Sequence, residues 1–285
     1  MHKNVILIAE TGSDVTPELA AQHGIFLVPM HVSMADQTLD DGSFPPEDVC
    51  AYYDKTGKVP QTSASSPEDF NIVLDKVHAQ FPDHQILHLA YSAITTCSYQ
   101  NGLLACEDRD YVTNVDTKQV SVGQASVALA TARWLEAHPD ATAEEAAQAA
   151  RQIADRTHMC FIPKNLDYLR AGGRVSNVVA LTGNLLGLHP CIDIIDGKLM
   201  AKKKYRGTME KVIPKLVQEY IQQYDLDPAH LDLIWSPYLS DELKAIAEKA
   251  LTDCGIQSFT WMKTGCVITC HGGPSAFGIV GVRKR

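Results

Sequence analysis

The run Val5-Ile6-Leu7-Ile8-Ala9, followed by Glu10-Thr11-Gly12-Ser13-Asp14, decides how the rest of the chain is read. A short unbroken apolar run that stops at a polar, glycine-containing turn is the pattern of a strand buried on both faces. A helix is expected next, with Pro17 at its first position after Thr16 and Gly24 just past its end. Residues 25–32 read as a second strand, Asp40-Asp41-Gly42-Ser43-Phe44-Pro45-Pro46 as a loop, and residues 47–55 as a short helix. Ser66-Pro67-Glu68-Asp69 opens another helix with a hydroxyl cap, proline at the first position and early acids. Strands are expected over 86–90 and 111–115, with a helix over 95–107 between them. Residues 122–137 have the apolar spacing of a long, mostly buried helix, and Thr142-Ala143-Glu144-Glu145 is a capping box for an alanine-rich helix ending near Arg156. Strands separated by helices of this length predict an α/β lobe over residues 1–157, with a mostly parallel sheet flanked by helices.

The texture changes after Met159-Cys160-Phe161-Ile162-Pro163. The loop Arg170-Ala171-Gly172-Gly173-Arg174 leads into a helix expected over 177–188. Asp196-Gly197 between the strand-like runs 191–195 and 198–205 is a hairpin signal, because both central residues of a type I′ turn need positive φ. Two helix–strand units follow, and residues 267–282 return to strand character. The expectation is a smaller α+β lobe over residues 158–285.

Composition narrows the function classes. With 285 residues, 45% hydrophobic and 21% charged, the chain is in the ordinary globular range and can bury a large core. A net charge of −9 argues against a nucleic-acid partner. No apolar run approaches the roughly 20 residues needed to span a bilayer. His2-Lys3-Asn4 leads straight into the first strand with no secretory pattern, so a cytoplasmic location is expected. The eight cysteines then read as thiols rather than disulfides. Cys266-Val267-Ile268-Thr269-Cys270-His271 is the one cluster. Read as a strand, it sets the two sulfurs about 13 Å apart, too far for one zinc, so no metal is expected there.

Parallel sheets bind ligands at the carboxyl ends of their strands. Hydroxyls gather at these ends: Thr11 and Ser13, Ser92, and Thr117, joined by Thr62-Ser63-Ala64-Ser65-Ser66-Pro67 before a helix. Together they suit an anion, although a hydroxyl before a helix is most often a cap. No phosphate loop, dinucleotide fingerprint, nucleophile elbow or H-E-x-x-H pair is present, and no cofactor is expected. Composition and spacing alone stop at a binding protein, an enzyme such as a transferase acting on a small acidic substrate, or an adaptor.

Taken together, several segments resemble the DegV family of bacterial fatty-acid-binding proteins. They are Glu10-Thr11-Gly12-Ser13-Asp14, the Thr62–Ser63 loop, Tyr168-Leu169-Arg170-Ala171-Gly172-Gly173-Arg174-Val175-Ser176, residues 185–190 with Asp196-Gly197, and His271-Gly272-Gly273-Pro274. The resemblance implies a long-chain fatty acid buried between the two lobes and a carrier, not an enzyme, that offers the acid to a separate kinase. The kinase then makes an acyl phosphate for phospholipid synthesis, with transient contact at a membrane surface. Carried over by motif, Thr62, Ser63 and Ser92 hold the carboxylate with Arg170 and His271 close by, while Arg174 and Arg206 face the kinase or handle phosphate. Residues 177–188 and 191–195 are expected as apolar walls. The chain departs from the family pattern at Glu10-Thr11 (usually Asp-Ser), Ala93 (a second serine), Thr96-Cys97-Ser98-Tyr99 (Ser-Gly-Thr-Tyr), and the ending, where a threonine after His271 and a glycine after Pro274 are usual.

Overall fold

The computed structural model describes residues 2–173 and 187–284. Strand β1 (Val5–Glu10) is buried throughout and lies at the centre of a wholly parallel sheet with β2 (Ile25–Val28), β6 (Gln85–Ala90) and β7 (Val112–Asp116), in the order β2-β1-β6-β7. Its alternate residues serve two cores, as the period of two requires. Val5, Leu7 and Ala9 pack towards α5 (Ser121–Ala137) and α6 (Ala143–Ala154). Ile6 and Ile8 pack against Phe70, Leu74 and Val77 of α3 (Pro67–Gln80).

Local chemistry sets the ends of these helices. Thr16 Oγ1 accepts from Leu19 N at the start of α1 (Pro17–His23), and Gly24, at φ 63°, ends it in the left-handed region. Ser66 and Asp69 close a capping box on α3, and Thr142 and Glu145 close one on α6, each satisfying two backbone donors.

The second sheet is mixed and has six strands, in the order β10-β9-β8-β13-β11-β12. They are β8 (Thr157–Ile162), β9 (Leu188–Ile195), β10 (Lys198–Arg206), β11 (Leu226–Trp235), β12 (Thr260–Lys263) and β13 (Phe277–Arg283). The expected hairpin is present: β9 and β10 pair through Ile195↔Lys198, with Asp196 at φ 47° and Gly197 at φ 78°. One face of this sheet packs on α8 (Met209–Tyr224) and α9 (Asp241–Asp253). From the other, Met159, Ile234 and Val280 join Leu87, Ala125 and Ala128 in one cluster, so α5 lies between the two sheets and belongs to both cores.

Four expectations change. The strand over 25–32 breaks at Pro29, which has no N–H for a ladder. Its second half becomes β3 (His31–Met34), in a small antiparallel sheet β4-β3-β5 with β4 (Gln37–Asp40) and β5 (Gln61–Ser63). The helix over 95–107 starts late, as α4 (Ser98–Ala105), because Thr95 Oγ1 donates back to Ser92 O in a turn. Cys266 to His271 is not a strand but part of helix α10 (Cys266–Gly272). Of the helix expected over 177–188, residues 177–186 lie outside the described residues, and Leu188 opens β9. Among the described residues no helix is long and apolar enough to cross a membrane.

Leu87 is fully buried in the layer between β6 and α5, whereas Ile72 is 59% exposed. Leu87→Ala should therefore lower stability by about 2–5 kcal/mol and Ile72→Ala by less than about 0.5 kcal/mol. Urea midpoints at constant slope would check this, and comparable losses at the two positions would contradict the layering.

Candidate functional site

The order β2-β1-β6-β7 puts a topological switch point between β1 and β6, where the chain leaves in opposite directions beyond the strands' carboxyl ends. A cavity opens there between the two sheets. Its apolar wall comes mainly from the second sheet and α10: Met159 and Phe161 of β8, Leu199 of β10, Ile234 of β11, Phe277 of β13, and Val267 and Ile268. Its polar lining is mostly neutral hydroxyls: Thr62, Ser63, Thr95, Thr96, Ser121, Ser236 and Thr264. Tyr91 and His271 are the titratable side chains in the described lining.

Thr62 is on β5, paired through Val32↔Thr62, and its Oγ1 is hydrogen-bonded to His271 Nε2 at 3.0 Å. His271 lies in the last turn of α10, and its ring packs so closely on Gly172 that a Cβ there would collide with it. Only glycine fits at 172 while the ring keeps this position. The conformation of α10 comes from distant carboxylates. Asp41 Oδ1 accepts from Cys266 N at 2.8 Å and Val267 N at 3.2 Å, and Asp14 Oδ1 accepts from Gly265 N at 2.7 Å. Asp14 Oδ2 also takes a short hydrogen bond from Ser121 Oγ, at the cavity wall where α5 begins. Ser121 has φ 51°, a conformation costing of order 1–3 kcal/mol in a residue other than glycine, and its hydrogen bond to Asp14 helps hold it there.

Burial drives the Asp14 carboxyl well above the usual aspartate range. Hydrogen bonds from Ser121 and Gly265 oppose the shift, and nearby Asp41 adds to it. Burial likewise raises Asp41, against the pull of the α10 amides.

Of the carboxylate-site residues expected from sequence, the structure brings Thr62, Ser63 and His271 to the cavity wall. Ser92 is buried, and its hydroxyl donates to Gly197 O at 2.8 Å, tying the β6 loop to the β9–β10 turn away from the wall. The Arg170 side chain is 47% exposed, 3.8 Å from Asp167 Oδ1, and outside the lining. Arg206 is exposed at the end of edge strand β10, and Arg174 lies outside the described residues. The other strand-end hydroxyls hold backbone: Thr11 Oγ1 accepts from Met30 N, and Thr117 Oγ1 donates to Ala90 O. Strand β9 does not line the cavity; β8, β10, β11 and β13 do. Sequence reasoning missed Ser121, Ser236 and Thr264. Ser236 and Thr264 directly follow β11 and β12, so the strand-end signal read for the first sheet would have found them had it been applied to the second.

Fold and site define a class: an α/β protein of two sheets sharing a buried helix, closed over an apolar cavity lined on one part by hydroxyls and a histidine. Residues 4–284 match the family model described as "Uncharacterised protein, DegV family", and the chain belongs to the DegV family. It is 25% identical over 280 residues to a DegV domain-containing protein of Caldanaerobacter subterraneus subsp. tengcongensis, covering 97% of this chain and 98% of that one. A DegV family protein from Thermus thermophilus, whose structure is described by its fatty acid binding, superposes with a TM-score of 0.88 at 22% identity over 100% of both chains. A Thermotoga maritima protein described as revealing a fatty acid binding function gives a TM-score of 0.76 at 25% identity, covering 99% of this chain and 100% of that one.

A carboxyl raised by burial keeps its proton in the folded state at a pH where the unfolded chain has lost it. Its contribution is therefore largest below the unfolded value, about 3.9, and declines as pH rises towards the folded value. Asp14→Asn keeps an acceptor for Gly265 N but cannot ionise. It should flatten the decline in stability with rising pH above about 4, as read from urea midpoints against pH. An unchanged slope would mean that Asp14 ionises normally.

Proposed function

We propose that this protein binds a long-chain fatty acid, with the acyl chain in the apolar part of the cavity and the carboxylate beside Thr62, Ser63 and His271. The observation that carries this reading is the Thr62–His271 hydrogen bond at the wall of a largely apolar, inter-sheet cavity. An acyl chain asks only for apolar walls, while a carboxylate removed from water must be hydrogen-bonded or paired. The lining has neutral hydroxyl donors and an imidazole for that purpose and no described lysine or arginine. The two solved relatives described as fatty acid binders support the ligand class.

The proposal extends to a carrier role in the cytoplasm, without a catalytic step of its own. The bound carboxylate would be presented to a separate kinase that forms an acyl phosphate for phospholipid synthesis, with transient contact at a membrane surface. Arg206, exposed on β10, and Arg174 are assigned to that partner or to the phosphate, because a guanidinium stays charged and grips phosphate oxygens in pairs.

Native mass spectrometry of the purified chain should show a retained mass of fatty-acid size. Thr62→Val should weaken fatty-acid binding by about 1.5–3 kcal/mol, roughly tenfold to a hundredfold, with the fold intact. Affinity equal to that of the parent chain would remove Thr62 from the carboxylate site. Arg206→Ala should retain lipid and lose kinase-dependent acyl phosphate; phosphorylation at the parent rate would exclude Arg206 from partner recognition.

A further inference from the structure

Away from the cavity, on the face of the second sheet covered by α8, three ligating side chains meet. Cys160 of β8 is the register partner of Asp193 of β9, and Cys191 stands two residues before Asp193 on the same face. One ligand atom from each, two sulfurs and a carboxylate oxygen, all lie within 4.8 Å of one another. The surroundings are apolar: Cys160 and Cys191 belong to the core cluster with Val212, Ile213, Leu216 and Val217. Asp193 is only 5% exposed, and its Oδ1 is buried with no hydrogen-bond partner.

An aspartate in such a place is costly, because a buried acceptor without a donor forfeits its full solvation. A divalent cation bound here supplies the missing partner for the carboxylate, and the two thiols lose their protons to solvent as they bind it.

We propose that Cys160, Cys191 and Asp193 form a buried binding site for a thiophilic divalent cation, zinc in the first place, that joins β8 to β9. Two sulfurs and one carboxylate oxygen select zinc over magnesium or calcium, which take oxygen ligands. They supply three of the four positions of a tetrahedral site. Cation binding here is a property of the second sheet and is independent of the ligand in the inter-sheet cavity.

The test uses the full chain, produced with added zinc chloride and dialysed against a weak chelator. Native mass spectrometry and elemental analysis should find a single zinc per chain. Asp193→Asn and the Cys160→Ser, Cys191→Ser pair should each weaken zinc retention by at least about tenfold in chelator competition. Should those variants fail to fold, the parent chain reloaded with cobalt(II) supplies the second readout: thiolate-to-cobalt absorption in the near ultraviolet supports the site. A metal-free parent chain that takes up no cobalt overturns the proposal, and so does a chain two mass units lighter with Cys160 and Cys191 joined as a disulfide. Zinc held equally well by the variants also overturns it.

Discussion

The site depends on two buried carboxylates. Asp14 and Asp41, both from the first fifth of the chain, accept the backbone N–H groups of Gly265, Cys266 and Val267 near its other end. They supply partners for donors that the start of a helix leaves unpaired, and they do so away from water, where an unmet donor costs about 1–3 kcal/mol. The expense is carried by the acids, whose carboxyls burial pushes upward. Without these contacts α10 would lose its N-terminal anchor, and with it the placement of Val267, Ile268 and His271 in the cavity wall. The same Asp14 holds Ser121 through its second oxygen, so one carboxylate sets wall elements from both ends of the chain.

A third buried acid organises the other side. Glu10, at the end of β1, accepts from Ser98 Oγ at 2.7 Å, Gln124 Nε2 at 2.7 Å and Tyr91 N at 2.9 Å. His88 Nε2 stands 3.4 Å from Glu10 Oε1. Burial alone would raise this carboxyl, but His88, with the hydrogen bonds from Ser98 and Tyr91, outweighs it, and Glu10 is held below the usual range. Glu10 reaches the serine at the first position of α4 and, through Tyr91 N, fixes the loop that follows β6.

The division of labour in the cavity follows from the layers. Helix α5 lies between the sheets, so a gap between them is enclosed by apolar faces on nearly every side. Polar groups enter it where strands end, and most strand-end hydroxyls are consumed there by backbone. Thr11, Thr117 and Ser92 hold Met30, Ala90 and Gly197, and leave Thr62, Ser63 and the residues around Ser121 to face the cavity. Ser92 thus helps shape the site by pinning the β9–β10 turn.

Sequence alone determined what short-range physics governs. The double-faced burial of residues 5–9, the proline and glycine bounding α1, the hydroxyl cap and first-position proline of α3, the capping box of α6, and the Asp196-Gly197 turn are each set within a few residues, and each stands where it was expected. Thr62, Ser63 and His271 were legible through the family motifs. Tertiary structure decided what depends on partners far along the chain. The run from Cys266 to Cys270 has the β-branched character of a strand, yet it is helical because Asp41, 225 residues away, caps it. Ser92 and Arg170 have suitable side chains, but the chain path directs one to Gly197 and leaves the other towards solvent. The sulfurs of Cys160 and Cys191 meet only because β8 and β9 pair in one register. Local propensity carries no information about such contacts, since it is register and crossover that determine which distant groups meet.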